Sequence, residues 1–320
     1  LTPMILSLPM AAAYMVLSTI HKNHGLTKLT MKIAIGINIL NILGNYIFLY
    51  GPFGLPILGV QGVAISTVIS RILGLLLLIY SLKVTIKGSI SIRQLMPFPK
   101  TLAKSFFKIG LPSAAEPISW QFSQVVIFGM INTLGTVAIT SRMYVNMIVM
   151  FTYLFAMAIA QATQIITGHL VGAGKYEEAQ RLVWRSVRKA WVATLAVSIL
   201  TVIFRFQLLQ IFTKNPEIIA LGAAVLLIDL FLEWGRATNI TIIFSMRSAG
   251  DVRFPVVVGL ISMWGLSTLG AYVLGIHWGF GLVGIWVAMA SDEIIRGFIM
   301  VWRWRSRAWQ GKSIVTNEGH

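Results

Sequence analysis

Nine apolar runs, near residues 4–20, 31–50, 57–82, 109–134, 143–167, 190–213, 218–246, 254–276 and 279–302, set the terms for this chain. About 20 helical residues cross a bilayer, whereas a barrel strand needs only about 10. Runs this long must be helices, because in lipid each segment has to satisfy its own backbone hydrogen bonds. The expected fold class is an all-α polytopic membrane protein. Composition matters here only by exclusion. Charged residues make up 11% of the chain, against about 25% in soluble domains. Cysteine is absent, which removes disulfide frameworks and thiolate metal sites. The net charge of +16 does not point to nucleic acid, because the basic residues fall in short connections between apolar runs.

Those connections set an expected orientation. One set carries Lys22, Lys28, Lys32, Lys83, Lys87, Arg93, Lys100, Lys104, Lys108, Lys175, Arg181, Arg185, Arg188, Lys189, Arg247, Arg253, Arg303, Arg305, Arg307 and Lys312. The alternate set carries Arg142, Arg205 and Lys214. The positive-inside rule then places the C-terminus in the cytoplasm of a plasma membrane, and residue 1 outside. Trp184, Trp191, Trp302, Trp304 and Trp309 lie near the basic ends, where interfacial aromatics are expected. The chain opens on Leu inside an apolar run, with no basic leader, so further spans are expected upstream.

Two stretches share a layout. "STIHKNHGLTKLT" (18–30), a span, and "LGVQGVAISTVISR" (58–71) parallel "SMRSAGDVRFP" (245–255), a span, and "FGLVGIWVAMASDEIIR" (280–296). Both have the same sidedness, so the repeat is parallel, as in several transporter folds. It implies two lobes, the second complete from 109 to 302 and the first short of three spans.

"FFKIGLPSAAE", "QATQIITGHLVGAGKYEEAQR", "SMRSAGDVRFP" and "GLVGIW…SDE…R…WRWRSRAW" together resemble the multidrug and toxic compound extrusion (MATE) family over essentially the whole chain. The resemblance implies a two-lobe bundle of twelve helices, of which the fourth to twelfth are present here. It implies exchange of Na+ or H+ for organic, usually cationic, compounds, and it places Glu116 in the C-terminal lobe. Some members carry an Asp about three turns before the residue matching Arg247. Here Arg236 stands in that neighbourhood, so their ion site does not transfer directly.

The polar residues within spans are the candidate ion-coupling and substrate-binding groups. In "LIDLFLEWGRATNI" (227–240), Asp229, Glu233, Arg236 and Asn239 recur on one helix face. Each charge at a bilayer centre costs about 2.5–3.5 kcal/mol on insertion scales, so such a face must meet water or partners. A Glu233–Arg236 ion pair between helices is the plain structural reading. The functional one has Asp229 or Glu233 exchange a proton or cation beside Arg236. Glu116, four residues after Pro112, has Gln121, Ser123 and Gln124 nearby. Gln161 and Gln164 serve equally as interhelical glue or cavity lining. Asp292 and Arg296, at i and i+4, are expected to pair. "GHLVGAGKYEEAQR" lacks the Lys-Ser/Thr ending of a phosphate loop and reads as a turn feeding an amphipathic helix.

The expected organisation is half an N-lobe (1–82), a cytoplasmic linker (83–108), a C-lobe (109–303) and a tail (304–320). The expected function is cation-coupled antiport of drugs or toxic compounds at a bacterial inner membrane, by a monomer handling a small organic substrate amid lipid. No cofactor is expected beyond H+ or Na+ as coupling ion, with Na+ near Glu116 and Glu233. No enzymatic chemistry is expected, since no nucleophile–base pair or acidic dyad falls at suitable spacing. The alternative is a flippase for lipid-linked oligosaccharides on a related two-lobe fold.

Overall fold

The computed structural model describes residues 5, 7–52, 57–86 and 100–312. All regular structure among them is helical. The chain divides into two compact units, residues 1–99 and 100–320. The first holds α1 (Leu8–Asn23), α2 (Thr27–Tyr50) and α3 (Gly59–Val84). The second holds α4 (Lys100–Thr133), α5 (Thr136–Gly172), α6 (Tyr176–Ile203), the short α7 (Arg205–Gln210), α8 (Pro216–Ser248), α9 (Arg253–His277) and α10 (Gly281–Arg305). Leaving α7 aside, these helices fall on the nine apolar runs. Six of them (α2, α3, α5, α6, α8 and α9) are long and apolar enough to cross a membrane by length and composition alone. Helix α10 has 25 residues but carries Asp292, Glu293 and Arg296 in its middle.

Several boundaries differ from expectation, each for a local reason. The linker expected over 83–108 ends sooner, because α4 is already helical from Lys100. Its breakers, Pro97 and Pro99, stand just upstream, and 87–99 lie outside the described residues. Pro112 is consequently inside α4 and does not begin it. The amphipathic stretch from Tyr176 is the first part of α6 rather than a separate helix, as no breaker separates it from the apolar run. Arg142 is a buried residue of α5, not a loop cation; Gly135, with φ 92°, ends the turn well before it. Trp304 and Trp309 are fully buried, stacked at 4.3 Å, and are not interfacial, whereas Trp302 is 64% exposed. Trp309 Nε1 donates to Trp304 O at 3.1 Å, which folds the residues after α10 back on its end.

Within the first unit, α1 and α3 are joined through buried His21, whose Nε2 lies 3.0 Å from Ser81 Oγ while Nδ1 lies 2.8 Å from Leu17 O. Within the second, α8 is central and packs on α5, α6 and α10. Asn215 starts it: its Oδ1 accepts from the backbone N–H groups of Glu217 at 2.9 Å and Ile218 at 3.4 Å. Pro216 follows in the first turn, where a missing N–H leaves nothing unpaired.

The two repeated stretches share their geometry. Helices α1 and α8 both end in a left-handed glycine, Gly25 (φ 77°) and Gly250 (φ 92°). Around each, two amides satisfy the last carbonyls: Gly25 N to Lys22 O and Leu26 N to His21 O, Gly250 N to Arg247 O and Asp251 N to Met246 O. The crossings match as well. A Cβ on Gly44 of α2 would collide with Ser66 of α3, and one on Gly270 of α9 would press on Ala288 of α10. Ser66 and Ala288 each lie four residues after a second close-packed glycine, Gly62 and Gly284. Small residues at four-residue spacing let membrane helices approach, since lipid offers no hydrophobic drive between them.

Helices α8 and α10 touch backbone to backbone at Gly235, where an added Cβ would stand 2.8 Å from Ile294 N. Gly235→Ala is therefore expected to destabilise the protein by about 1–3 kcal/mol through overpacking, read as a lowered melting temperature in detergent. An unshifted melt would show that the helices do not meet this closely.

Candidate functional site

Five of the chain's ten acidic residues lie in one connected region of the second unit: Glu116, Asp229, Glu233, Asp292 and Glu293. The one-sided spacing of α8 builds its core. Asp229 is 5% exposed and accepts a hydrogen bond from Trp286 Nε1 of α10 at 3.0 Å. One turn on, Glu233 is fully buried and paired to Arg236, so the ion pair foreseen in the sequence forms, within α8 itself. Arg236 lies 5.8 Å above the Tyr153 ring of α5, and its Nε stands 3.7 Å from Glu293 Oε1. Asn239, last in the stripe, donates through Nδ2 to Glu293 Oε2 at 2.8 Å. The close approach at Gly235 makes these contacts possible, because it brings the middle of α10 within side-chain reach of α8.

On α10 the chain of charge continues. Arg296 donates to Asp292 Oδ2 at 2.8 Å, the expected i, i+4 pair, and reaches Glu293 Oε1 at 3.1 Å. Ser262 of α9 donates to the other oxygen of Asp292. Glu116 of α4 pairs with Arg247 near the end of α8, and Gly259 of α9 leaves room for its carboxyl group. Arg296 also interacts electrostatically with Glu116. A narrow cleft of about 10 Å³, the space of one water or bare cation, opens among Gln124, Arg236, Ser267, Asp292 and Glu293.

The other expected residues stand apart. Gln121 and Gln161 are exposed and Gln164 is half-buried. None of the three joins the carboxylate region. Glu293 escaped the sequence reading, masked by its neighbour Asp292 in "SDE". Arg247 had been counted among the loop cations although it partners Glu116. Gln124, near Glu116 in sequence, takes a hydrogen bond from Arg142 at 2.9 Å. The signal that could have found Glu293 was the concentration of half the chain's acids inside apolar runs.

What the arrangement can do follows from counting charges. Five carboxylates face three guanidiniums, Arg236, Arg247 and Arg296. Fully ionised, the region carries two uncompensated negative charges in surroundings where each is costly. Glu233 Oε2 and Asn239 Oδ1 are buried with no hydrogen-bond donor among the described residues. A carboxylate oxygen of this kind accepts a proton, and carboxylate and amide oxygens alike coordinate a small hard cation. Among the described residues no three acidic or histidine side chains are grouped as a resident metal site would need.

Residues 112–273 match the MatE family. YisQ of Bacillus subtilis, described as an uncharacterized transporter, is 42% identical over 304 residues, covering 95% of this chain and 67% of that protein. A probable multidrug resistance protein NorM of Thermotoga maritima is 26% identical over 308 residues, covering 95% of this chain and 65% of its own. A crystal structure of MATE in complex with MaL6 superposes with a TM-score of 0.84 at 19% identity, over 95% of this chain and 68% of that one. The chain thus spans about two thirds of the length of the curated relatives it matches.

Proposed function

The chain belongs to the MATE family of multi-pass membrane transporters, and from that premise we propose that it works as a secondary active exporter, exchanging H+ or Na+ for an organic, cationic compound without ATP. The excess of carboxylates over guanidiniums in the second unit carries the reading. An uncompensated pair of negative charges buried among apolar helices is relieved by taking up cations or protons, and a cationic substrate competes for the same charge. Coupling then requires that ion and substrate favour different states of the transporter, since equal affinity for both states shifts neither.

In this reading Glu233 and Asp229 take and release the ion, with Arg236 and Trp286 holding them, while Glu293 links the pair to Asn239 and Arg296. Glu116 and Arg247 form a second exchangeable pair. The positive-inside bias puts the C-terminus and the basic connections in the cytoplasm of a bacterial inner membrane, so ions enter toward that side as substrate leaves. A flippase for lipid-linked sugars would need guanidiniums in excess to meet an anionic phosphate. The carboxylate excess does not suit it.

The test uses the complete protein in proteoliposomes loaded with a fluorescent organic cation. An imposed Na+ or H+ gradient is expected to drive dye across the membrane without nucleotide, and dissipating the gradient is expected to stop it. Dye movement indifferent to both gradients would overturn the exchange mechanism.

A further inference from the structure

A second cavity lies in the same unit, against the same α8–α10 contact but with none of the five carboxylates in its lining. It is a groove of about 740 Å³ between α6 and α10, floored by α8 where Gly235 and Gly297 bring the backbones together. This is within the ~300–1,000 Å³ of small-molecule sites. Its two ends differ in chemistry. At one end Arg181, Arg185, Arg188 and Arg305 converge, all exposed. None has a carboxylate within ion-pair distance among the described residues, although Arg307 and Lys175 close by do. Among the described residues no acidic side chain lines the groove.

The other end is aromatic and aliphatic. Trp191 and Trp234 stand 6.0 Å apart, Trp234 and Phe298 meet edge to face at 6.4 Å, and Val301 and Ile294 complete the wall. Trp191 is fixed by a 2.7 Å hydrogen bond from Nε1 to Thr238 Oγ1. Arg305 lies 5.7 Å over the Trp184 ring, which joins the basic end to the aromatic one. Along α6, Arg181 and Trp191 are ten residues apart, roughly 15 Å at 1.5 Å per residue. The lip at the aromatic end is apolar and open, with Phe298 61% exposed. In a membrane-spanning bundle such a lip faces hydrocarbon.

We propose that this groove is a binding site for an anionic phospholipid, its phosphate held by Arg181, Arg185, Arg188 and Arg305 and one acyl chain laid along Trp234 and Phe298. Guanidiniums in a fork match phosphate oxygens in pairs. A basic pocket between helices at the membrane surface suits such a headgroup. The sideways opening selects a lipid over a soluble phosphate, because only a lipid brings an apolar chain to cover the exposed aromatic wall. The assignment is separate from the exporter reading, sharing with it only the position of the basic ends at the membrane surface.

The experiment titrates the purified complete protein in neutral detergent with phosphatidylglycerol, phosphatidylcholine or inorganic phosphate, and counts bound molecules by native mass spectrometry. Phosphatidylglycerol is expected to bind at least tenfold more tightly than phosphatidylcholine. Arg181→Gln/Arg185→Gln/Arg188→Gln/Arg305→Gln should lose that preference. The matching Arg→Lys variant, which keeps the charge but not the paired donors, should bind phosphatidylglycerol more weakly than the parent while still preferring it to phosphatidylcholine. A control variant, Lys22→Gln/Lys28→Gln/Lys32→Gln/Lys83→Gln, should bind as the parent does. Equal binding of the two lipids, an undiminished preference in the Arg→Gln variant, or an equal loss in the control would overturn the site. Displacement of the lipid by millimolar phosphate would assign the arginines to a soluble anion instead. Binding is read without transport, so its failure and that of the exporter reading are distinguishable.

Discussion

Glu233→Gln in the complete protein is expected to reduce ion-coupled efflux below about a tenth of the parent rate, with the fold retained. Glutamine keeps the shape of the side chain and can still accept a hydrogen bond from Arg236, so packing around this fully buried position is preserved. What it loses is a charge that can bind and release a proton or cation. A tenfold change corresponds to only about 1.4 kcal/mol, near the bottom of the range of coupling free energies between sites. Glu116→Gln is expected to act in the same direction through its pair with Arg247. Drug-driven proton or sodium flux in proteoliposomes checks both, with size-exclusion profiles confirming the fold. Parent-like flux in both variants would remove these acids from the mechanism.

The second large effect is on stability. Arg236→Gln takes the cation away from Glu233 and leaves that carboxylate facing Asp229 and Glu293 with no counter-charge. Breaking a buried pair from one side costs about 3–5 kcal/mol, because the remaining ion is uncompensated. A marked fall in melting temperature is expected, together with loss of monodisperse protein in detergent. The double variant Glu233→Gln/Arg236→Gln should recover much of the loss, since neither side then leaves an orphan charge. That recovery, measured as a double-mutant cycle, isolates the pair from the rest of the network. An Arg236→Gln protein as stable as its parent would show that Glu233 does not depend on Arg236 for its charge balance.

These two effects differ in how far they could be read from the chain alone. The stripe of Asp229, Glu233, Arg236 and Asn239 was legible, because a helical period puts residues four and seven apart on one side whatever surrounds them. So was the Asp292–Arg296 pair, for the same reason. The partners across helices were not. Trp286 for Asp229, Glu293 for Asn239 and Arg247 for Glu116 lie 57, 54 and 131 residues away in sequence. Gln121, Gln161 and Gln164 are also polar residues within apolar runs, yet none joins the carboxylate region, and their spacing alone does not show which side of the helix meets a partner.

The helical spans and the placement of half the acids inside them were determined by sequence alone, because a bilayer forces every long apolar run to close its own hydrogen bonds. The shared caps at Gly25 and Gly250 were equally local, since they need only a residue at ease with positive φ. Only the tertiary structure decided which faces meet. That choice rests on contacts such as Gly235 against the backbone of α10, where the absence of a side chain lets two helices close. One missing Cβ brings Glu293 and Arg296 beside Arg236, and no periodicity in either segment records which other helix will fill that space.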